Sequence, residues 1–85
     1  MQVDSTAILR LKVIAEADPG ALVRALQFFQ ARNWVPQRVS AQRLGVELLE
    51  IAIEIDAADC TWEAFNLVAA KLGELPSVLA AVACE

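Results

Sequence analysis

The stretch EADPGALVRALQFF, residues 16–29, holds the groups best suited to binding a small anion. Its Asp-Pro-Gly triplet, beginning at Asp18, separates an alternating segment from one with helical periodicity, so a helix is predicted to start here. The first N–H groups of a helix lack internal acceptors and lie at the positive end of its dipole. The amides of Gly20, Ala21 and Leu22 are therefore a candidate carboxylate site. Because Gly20 has no side chain, a ligand carboxylate could approach the backbone closely there.

The same loop also has a purely structural interpretation. Asp18 is a good N-cap residue, and Pro19 suits the first helical position because that position needs no N–H donor. Asp18 would then accept hydrogen bonds from the helix amides itself, and the loop would be a turn that binds nothing. The residues alone leave both interpretations open.

Few other residues offer catalytic or metal-binding chemistry. The chain has no histidine, the commonest general base and metal ligand. Cys60 and Cys84 are too far apart in sequence for a CxxC motif, so we interpret both as thiols in a reducing compartment. The sequence therefore predicts no catalytic site, no metal site and no cofactor.

Charge and hydropathy restrict the partners. The net charge of −4 and the pI of about 4.7 argue against nucleic acid, which requires clustered Lys and Arg. Charges such as Arg10 and Glu50 interrupt the apolar runs, so we predict no membrane segment and a cytoplasmic location. Apolar residues make up 58% of the chain, above the typical roughly 45 to 50%, which indicates that a partner covers part of the surface.

The periodicity predicts four strands and two helices in one domain spanning residues 1–85. Asp18 is expected to cap the first helix and Asp59 the second. Asn33 and Gly73 are expected to end them in the left-handed conformation, and Gly45 marks a tight hairpin. The predicted strands cover residues 7–16, 34–44, 49–56 and 77–84, and the first helix runs from Pro19 to about Arg32.

Alternation and helical spacing also predict which side chains point inward. The second strand is expected to turn Val35, Val39 and Ala41 inward, and Pro36 places that strand at an edge because proline cannot donate to a ladder. Ala21, Phe28 and Arg32 are expected to lie away from the buried face of the first helix. The apolar stripes of the helices are Leu22, Ala25, Leu26 and Phe29, and then Trp62, Phe65, Val68, Ala69 and Leu72.

The element order β-α-β-β-α-β indicates an α+β, ferredoxin-like sandwich. Right-handed crossovers give an antiparallel sheet in the order 4-1-3-2 with both helices on one face. On the open face, Arg10 and Lys12 of the first strand are expected to lie beside Glu50 and Glu54 of the third strand as cross-strand opposite charges. That face would also carry Ile8, Ile14 and Ala52, which make it more apolar than a surface that only contacts water.

The segment DPGALVRALQFFQARNWVPQRVSAQ, residues 18–42, resembles the signature of the ACT domain family. The segment LLEIAIEIDAADCTWEAFNLVAAKLGELPSVLAAVAC, residues 48–84, is similar to the small regulatory subunits of acetolactate synthase, in particular the short single-domain type. The resemblance implies a non-catalytic regulatory domain of branched-chain amino-acid biosynthesis. It also implies a homodimer that holds an amino-acid effector between its two copies.

The resemblance implies which residues would form the effector site. The usual Asn of strand two, contributed by the partner copy, falls at Val35, and the following Ile falls at Pro36. A valine side chain cannot hydrogen-bond an effector, so that contact is missing from the pattern. The remaining implied contacts are Asp18, Pro19, Gly20, Ala21 and Leu22.

We predict that the homodimer forms through the first helix and strand two, where Phe28 and Trp34 would be half-exposed in one copy; Arg32 and Pro36 complete the predicted interface. The partner implied by the resemblance is a large catalytic chain of acetolactate synthase, docked on the open sheet face. The alternative is a stand-alone amino-acid-sensing ACT dimer with another client. An enzyme of the acylphosphatase kind shares the fold but requires an arginine in the first loop, which EADPGA lacks.

Overall fold

The computed structural model describes residues 7–85. It contains the predicted order of elements, with a short 3-10 turn at Ala57–Asp59 before the second helix. The strands are β1 (Ile8–Glu16), β2 (Arg38–Leu44), β3 (Leu48–Asp56) and β4 (Val78–Cys84), and the helices are α1 (Ala21–Gln30) and α2 (Trp62–Gly73).

The strands form one antiparallel sheet in the order β2-β3-β1-β4, which confirms the ferredoxin-like βαββαβ fold and the predicted order 4-1-3-2. In β1 the odd-numbered residues from Leu9 to Ala15 are buried on the helix side. In β3 the isoleucines at 51, 53 and 55 are fully buried beside them. Both helices lie on this one face because the alternating pattern leaves the other face polar.

The core confirms most of the predicted apolar positions and corrects four. Ala21, predicted to lie away from the sheet, is buried, whereas Leu22 and Leu26 are only partly covered. Trp62, predicted for the buried stripe of α2, is 39% exposed because it is the first residue of its helix. Phe29 and Phe65, both fully buried, meet edge to face with ring centroids 6.2 Å apart and join the two helices.

Strand β2 differs most from the prediction. Asn33 adopts the predicted left-handed conformation, with φ of 59°, but the chain then bonds back to α1 through Trp34 N–H and Phe29 C=O. The strand consequently begins at Arg38, not at Trp34, and Pro36 lies before it. Val35, Val39 and Ala41, predicted to point inward, are all exposed: Val35 lies before the strand, and the helices cover the inner strands and leave the β2 edge bare.

The ends of α2 also differ from the prediction. Its N-cap is Thr61, whose Oγ1 accepts a hydrogen bond from Ala64 N–H at 3.1 Å; Asp59 lies in the preceding 3-10 turn. Gly73 belongs to the helix and is not left-handed. Gly45 has φ of 70° in the β2–β3 turn, as the hairpin prediction requires.

The open sheet face carries the predicted cross-strand charge pairs. Arg10 Nε lies 3.2 Å from Glu54 Oε2, and Lys12 Nζ lies 3.5 Å from Glu50 Oε2. Each pair joins directly opposed residues of β1 and β3. Because both are solvated, each contributes at most about 1 kcal/mol.

Candidate functional site: the seam between α1 and β2

The Asp18 carboxylate is bound by its own loop. Its Oδ1 accepts a hydrogen bond from Gly20 N–H at 2.9 Å, and its Oδ2 accepts one from Arg24 Nη2 at 2.6 Å. The backbone C=O of Asp18 accepts the N–H of Ala21 at 2.9 Å. Two of the three amides proposed for a carboxylate ligand are therefore already bonded to Asp18.

Asp18 does not cap α1 as predicted. The N-cap is Gly20, which makes no side-chain cap, and Asp18 instead closes the turn before it. The Gly20 N–H, and after it the Arg24 guanidinium, lower the pKa of the Asp18 carboxyl below its usual value.

Gly20 makes room for Arg24. A Cβ built on Gly20 would lie 2.8 Å from Arg24 Nη1, closer than a nonbonded contact allows. The backbone at Gly20 has φ of −87° and ψ of −4°, which any residue adopts. The space above Gly20, predicted to admit a ligand, is thus occupied by the Arg24 side chain.

A first hollow lies between this loop and β2. It encloses about 360 Å³ and combines one carboxylate, one guanidinium and apolar side chains. The guanidinium belongs to Arg43, whose Nη2 also donates to the Val46 C=O at 2.7 Å. The lining residues are Ala17, Asp18, Pro19, Leu22, Ala41, Arg43 and Leu49.

A second hollow of about 440 Å³ continues along the same seam. Leu26 lies one turn of α1 beyond Leu22, and Val39 lies two residues from Ala41 on the same side of β2. Val35, 75% exposed, forms the open rim. The lining is apolar apart from two amides and consists of Leu26, Phe29, Gln30, Asn33, Trp34, Val35, Pro36 and Val39.

The residues predicted for the dimer interface lie together at this end of the seam. Arg32 lies over the rings of Phe28 and Trp34, with its guanidinium carbon 5.9 and 5.8 Å from the ring centroids. Its Nη1 donates to the Phe28 C=O at 2.9 Å. Both rings are half-buried, and Pro36 lies beside Trp34 in the second hollow. Arg32 therefore joins the two rings through cation–π contacts, and Trp34 lines the second hollow beside the bare edge.

Asp18 and Val35 are not brought together within one protomer, since they line different hollows. Sequence reasoning also missed Arg24 and Arg43, which bind the loop and line the first hollow. Arg24 lies one helical turn beyond Gly20, a spacing that pairs side chains with the helix start. Arg43 carries no local signal, because only the β2–β3 register places it near the loop.

Neither metal-binding nor membrane-spanning features are found in the described part of the chain. Residues 7–85 contain no group of three or more His, Cys, Asp or Glu side chains that could hold a metal ion. No helix among them has both the length and the apolar character needed to cross a membrane.

Comparisons with known proteins agree with the observed fold. The sequence model of a family described as ACT-like domain matches residues 2–85. No curated protein matches the sequence. The fold is similar to the C-terminal domain of the MgtC protein from Mycobacterium tuberculosis, with a TM-score of 0.75 and 15% identity over 99% of this chain and 92% of that one.

Two further structures share the fold at low identity. The ACT domain from GTP pyrophosphokinase of Chlorobium tepidum has a TM-score of 0.73 and 8% identity, over 94% of this chain and all of that one. The ligand-free regulatory subunit of aspartate kinase from Thermus thermophilus has a TM-score of 0.66 and 17% identity, over 96% of this chain and 56% of that one.

Proposed function

Because the chain belongs to the ACT-like domain family, we propose that it is a non-catalytic regulatory domain that works as a homodimer and binds a small apolar amino acid. The observation that carries the proposal is the seam between α1 and β2. There an exposed edge strand adjoins two hollows, one of which combines an acid and a base with apolar walls.

The dimer is proposed to form by antiparallel pairing of β2 with its copy. Such pairing would bury Val39 and the aromatic cluster of Phe28 and Trp34, at about 25 cal/mol per Å² of apolar surface. A two-fold axis near the middle of β2 brings the Val35 end of one copy beside the Arg43 end of the other. The residues that line the second hollow of one copy then cover the first hollow of its partner.

The first hollow suits a zwitterion with an apolar side chain. Arg43 would bind the carboxylate, and the ammonium would donate to the spare lone pairs of the two Asp18 carboxylate oxygens, each of which already accepts one hydrogen bond. Leu22 and Leu49 would contact the side chain. This assignment moves the carboxylate contact from the α1 amides, which are bonded to Asp18, to Arg43.

Analytical ultracentrifugation tests the dimer. We expect the wild-type protein to sediment as a dimer at tens of micromolar, and Val39→Lys to sediment as a monomer because it places a charge in the pairing edge. Val23→Lys adds the same charge on the outer side of α1 and should remain dimeric. A wild-type monomer at this concentration would refute the dimer.

A thermal-shift screen with the standard amino acids tests the effector. We expect leucine, isoleucine or valine to raise the melting temperature, since a ligand that binds only the folded state stabilises it. Arg43→Gln should abolish the shift while the protein stays folded; Arg38→Gln, on the open face of the same strand, should retain it. A flat wild-type screen would leave the loop as a turn.

The proposed client is a large catalytic chain of acetolactate synthase, on the sequence resemblance of residues 48–84. The open face would carry the contact, so Ile14→Lys should weaken the complex and leave the fold intact. Co-expression with the synthase of the same genome is the test. Absence of co-elution together with unchanged synthase activity would favour the stand-alone amino-acid sensor.

A further inference from the structure

The two edges of the sheet differ in chemistry. Edge strand β2 is exposed along its length and carries the polar residues Arg38, Ser40, Gln42 and Arg43. Edge strand β4, VLAAVAC, has no charged residue and no proline. Its Leu79 and Val82 are each 59% exposed. Within residues 7–85, β1 is the only strand that pairs with β4, so its outer backbone groups are unpaired.

Acidic groups flank both ends of β4. Beyond its C-terminal end lies an open hollow of about 610 Å³, where Asp59 and Glu85 accompany Trp62 and Cys60. At its N-terminal end Leu79 lines a hollow of about 590 Å³ that contains Glu16 and Glu47. No Lys or Arg is among the residues that line either hollow.

A neutral apolar strand between two acidic hollows suits a segment of opposite character. We infer that the β4 edge binds an extended segment of another polypeptide, with apolar residues at alternate positions and Arg or Lys at both ends. The segment adds to the sheet as a fifth strand through main-chain hydrogen bonds. The side chains of its basic ends extend past the ends of β4 towards the acidic hollows, and Trp62 offers a ring to the cation at one end.

A second copy of this chain does not fit the edge. The residues that flank its own β4 include Glu74 and Glu85, so acidic groups would meet acidic hollows in either strand direction. Pairing of β4 with β4, added to the proposed pairing of β2 with β2, would also link the proposed dimers into an assembly larger than a dimer. Only this second objection rests on the proposed dimer.

Peptide binding tests the inference directly. The probes are three fluorescein-labelled peptides: Arg-Arg-Val-Thr-Val-Thr-Val-Arg-Arg, a version with Glu for every Arg, and a version with Pro for every Thr. The first should bind at least about tenfold more tightly than the second, because charges at the ends select the partner. Its affinity should also exceed that of the third peptide by about tenfold, since proline removes backbone N–H donors that a paired strand needs.

Protein variants and hydrogen exchange localise the binding. Val82→Lys should lose the affinity for the first peptide, whereas Val23→Lys, an equal charge change at a residue of α1 that is 54% exposed, should keep it. Deuterium uptake should fall in residues 78–84 when the peptide is bound.

Three results would overturn the inference. They are no binding of the first peptide up to about 1 mM, equal binding of the two basic peptides, and protection confined to residues outside both β4 and the two acidic hollows. Sedimentation of the protein without peptide reports the β2 dimer separately, so failure of one proposal is distinguishable from failure of the other.

Discussion

Arg24 Nη2 lies 2.6 Å from Asp18 Oδ2, and this ion pair spans the start of α1 in the place where an N-cap would otherwise act. The two side chains are about equally exposed, at 41% and 43%. The loop is therefore held by a solvated pair and by the Gly20 amide.

Asp18 should make stability depend on pH. Because its folded pKa is lowered, its contribution is complete above the usual value of 3.8 and is lost as the pH falls through the lowered value. We expect the urea midpoint of the wild type to decline between about pH 5 and pH 2. The midpoint of Asp18→Asn should decline less over that range, and the midpoint of Asp59→Asn should decline as in the wild type. Equal slopes for all three proteins would contradict the assignment.

Gly20→Ala tests whether Gly20 serves Arg24. The backbone there accepts alanine, which should stabilise by about 0.4–1 kcal/mol through the unfolded state. The added Cβ displaces the guanidinium, so this gain should be cancelled in the wild type. It should appear in an Arg24→Ala background, where nothing is displaced. Urea unfolding of the four proteins measures the difference, and an identical effect in both backgrounds would disprove the link.

Thr61→Ala should destabilise the protein by about 1 kcal/mol because it removes the hydrogen bond to Ala64 N–H that caps α2. Asp59→Ala provides the comparison: this carboxylate, expected from the sequence to be the cap, lies in the 3-10 turn and should change stability by about 0.5 kcal/mol or less. Chemical denaturation distinguishes the two, and the reverse ranking would mean that Asp59 is the cap in solution.

Phe65→Ala should cost about 3–5 kcal/mol, because the ring is fully buried against Phe29 and Trp34. A domain of this size has roughly 4–13 kcal/mol in all, so the variant should melt far below the wild type. Leu67→Ala, on the same helix but 52% exposed, should remain within about 0.5 kcal/mol of it. Similar melting temperatures for the two variants would show that Phe65 is not central to the core.

The sequence predicted the fold well where periodicity was strong. The alternation from Leu49 to Asp56 gave strand β3 nearly to the residue, and the strand order followed from handed crossovers. The predicted ends of helices and strands were wrong where contacts not visible in the local pattern set them. Trp34 leaves the strand because its N–H bonds to the end of α1, and α2 is capped by Thr61, two residues after the predicted cap Asp59.

The candidate site was predictable only in part, because its charges come from distant segments. The Asp18 loop was evident from its own residues, but the carboxylate is bound by Arg24, and the sequence does not show which side chain fills the space above Gly20. Arg43 reaches the same hollow only through the pairing of β2 with β3. The prediction that one side of β2 is buried was wrong, because alternation alone does not show that the helices leave the edge strand uncovered.

The unequal surroundings of the two thiols allow site-selective labelling of the native sequence. Burial, and then the neighbouring Asp59 charge, raise the pKa of the Cys60 thiol, which lowers its reactive thiolate fraction at neutral pH. Cys84 is exposed at the end of β4. A maleimide dye or spin label at neutral pH should therefore attach first to Cys84, and would place a reporter on the β4 edge without any mutation.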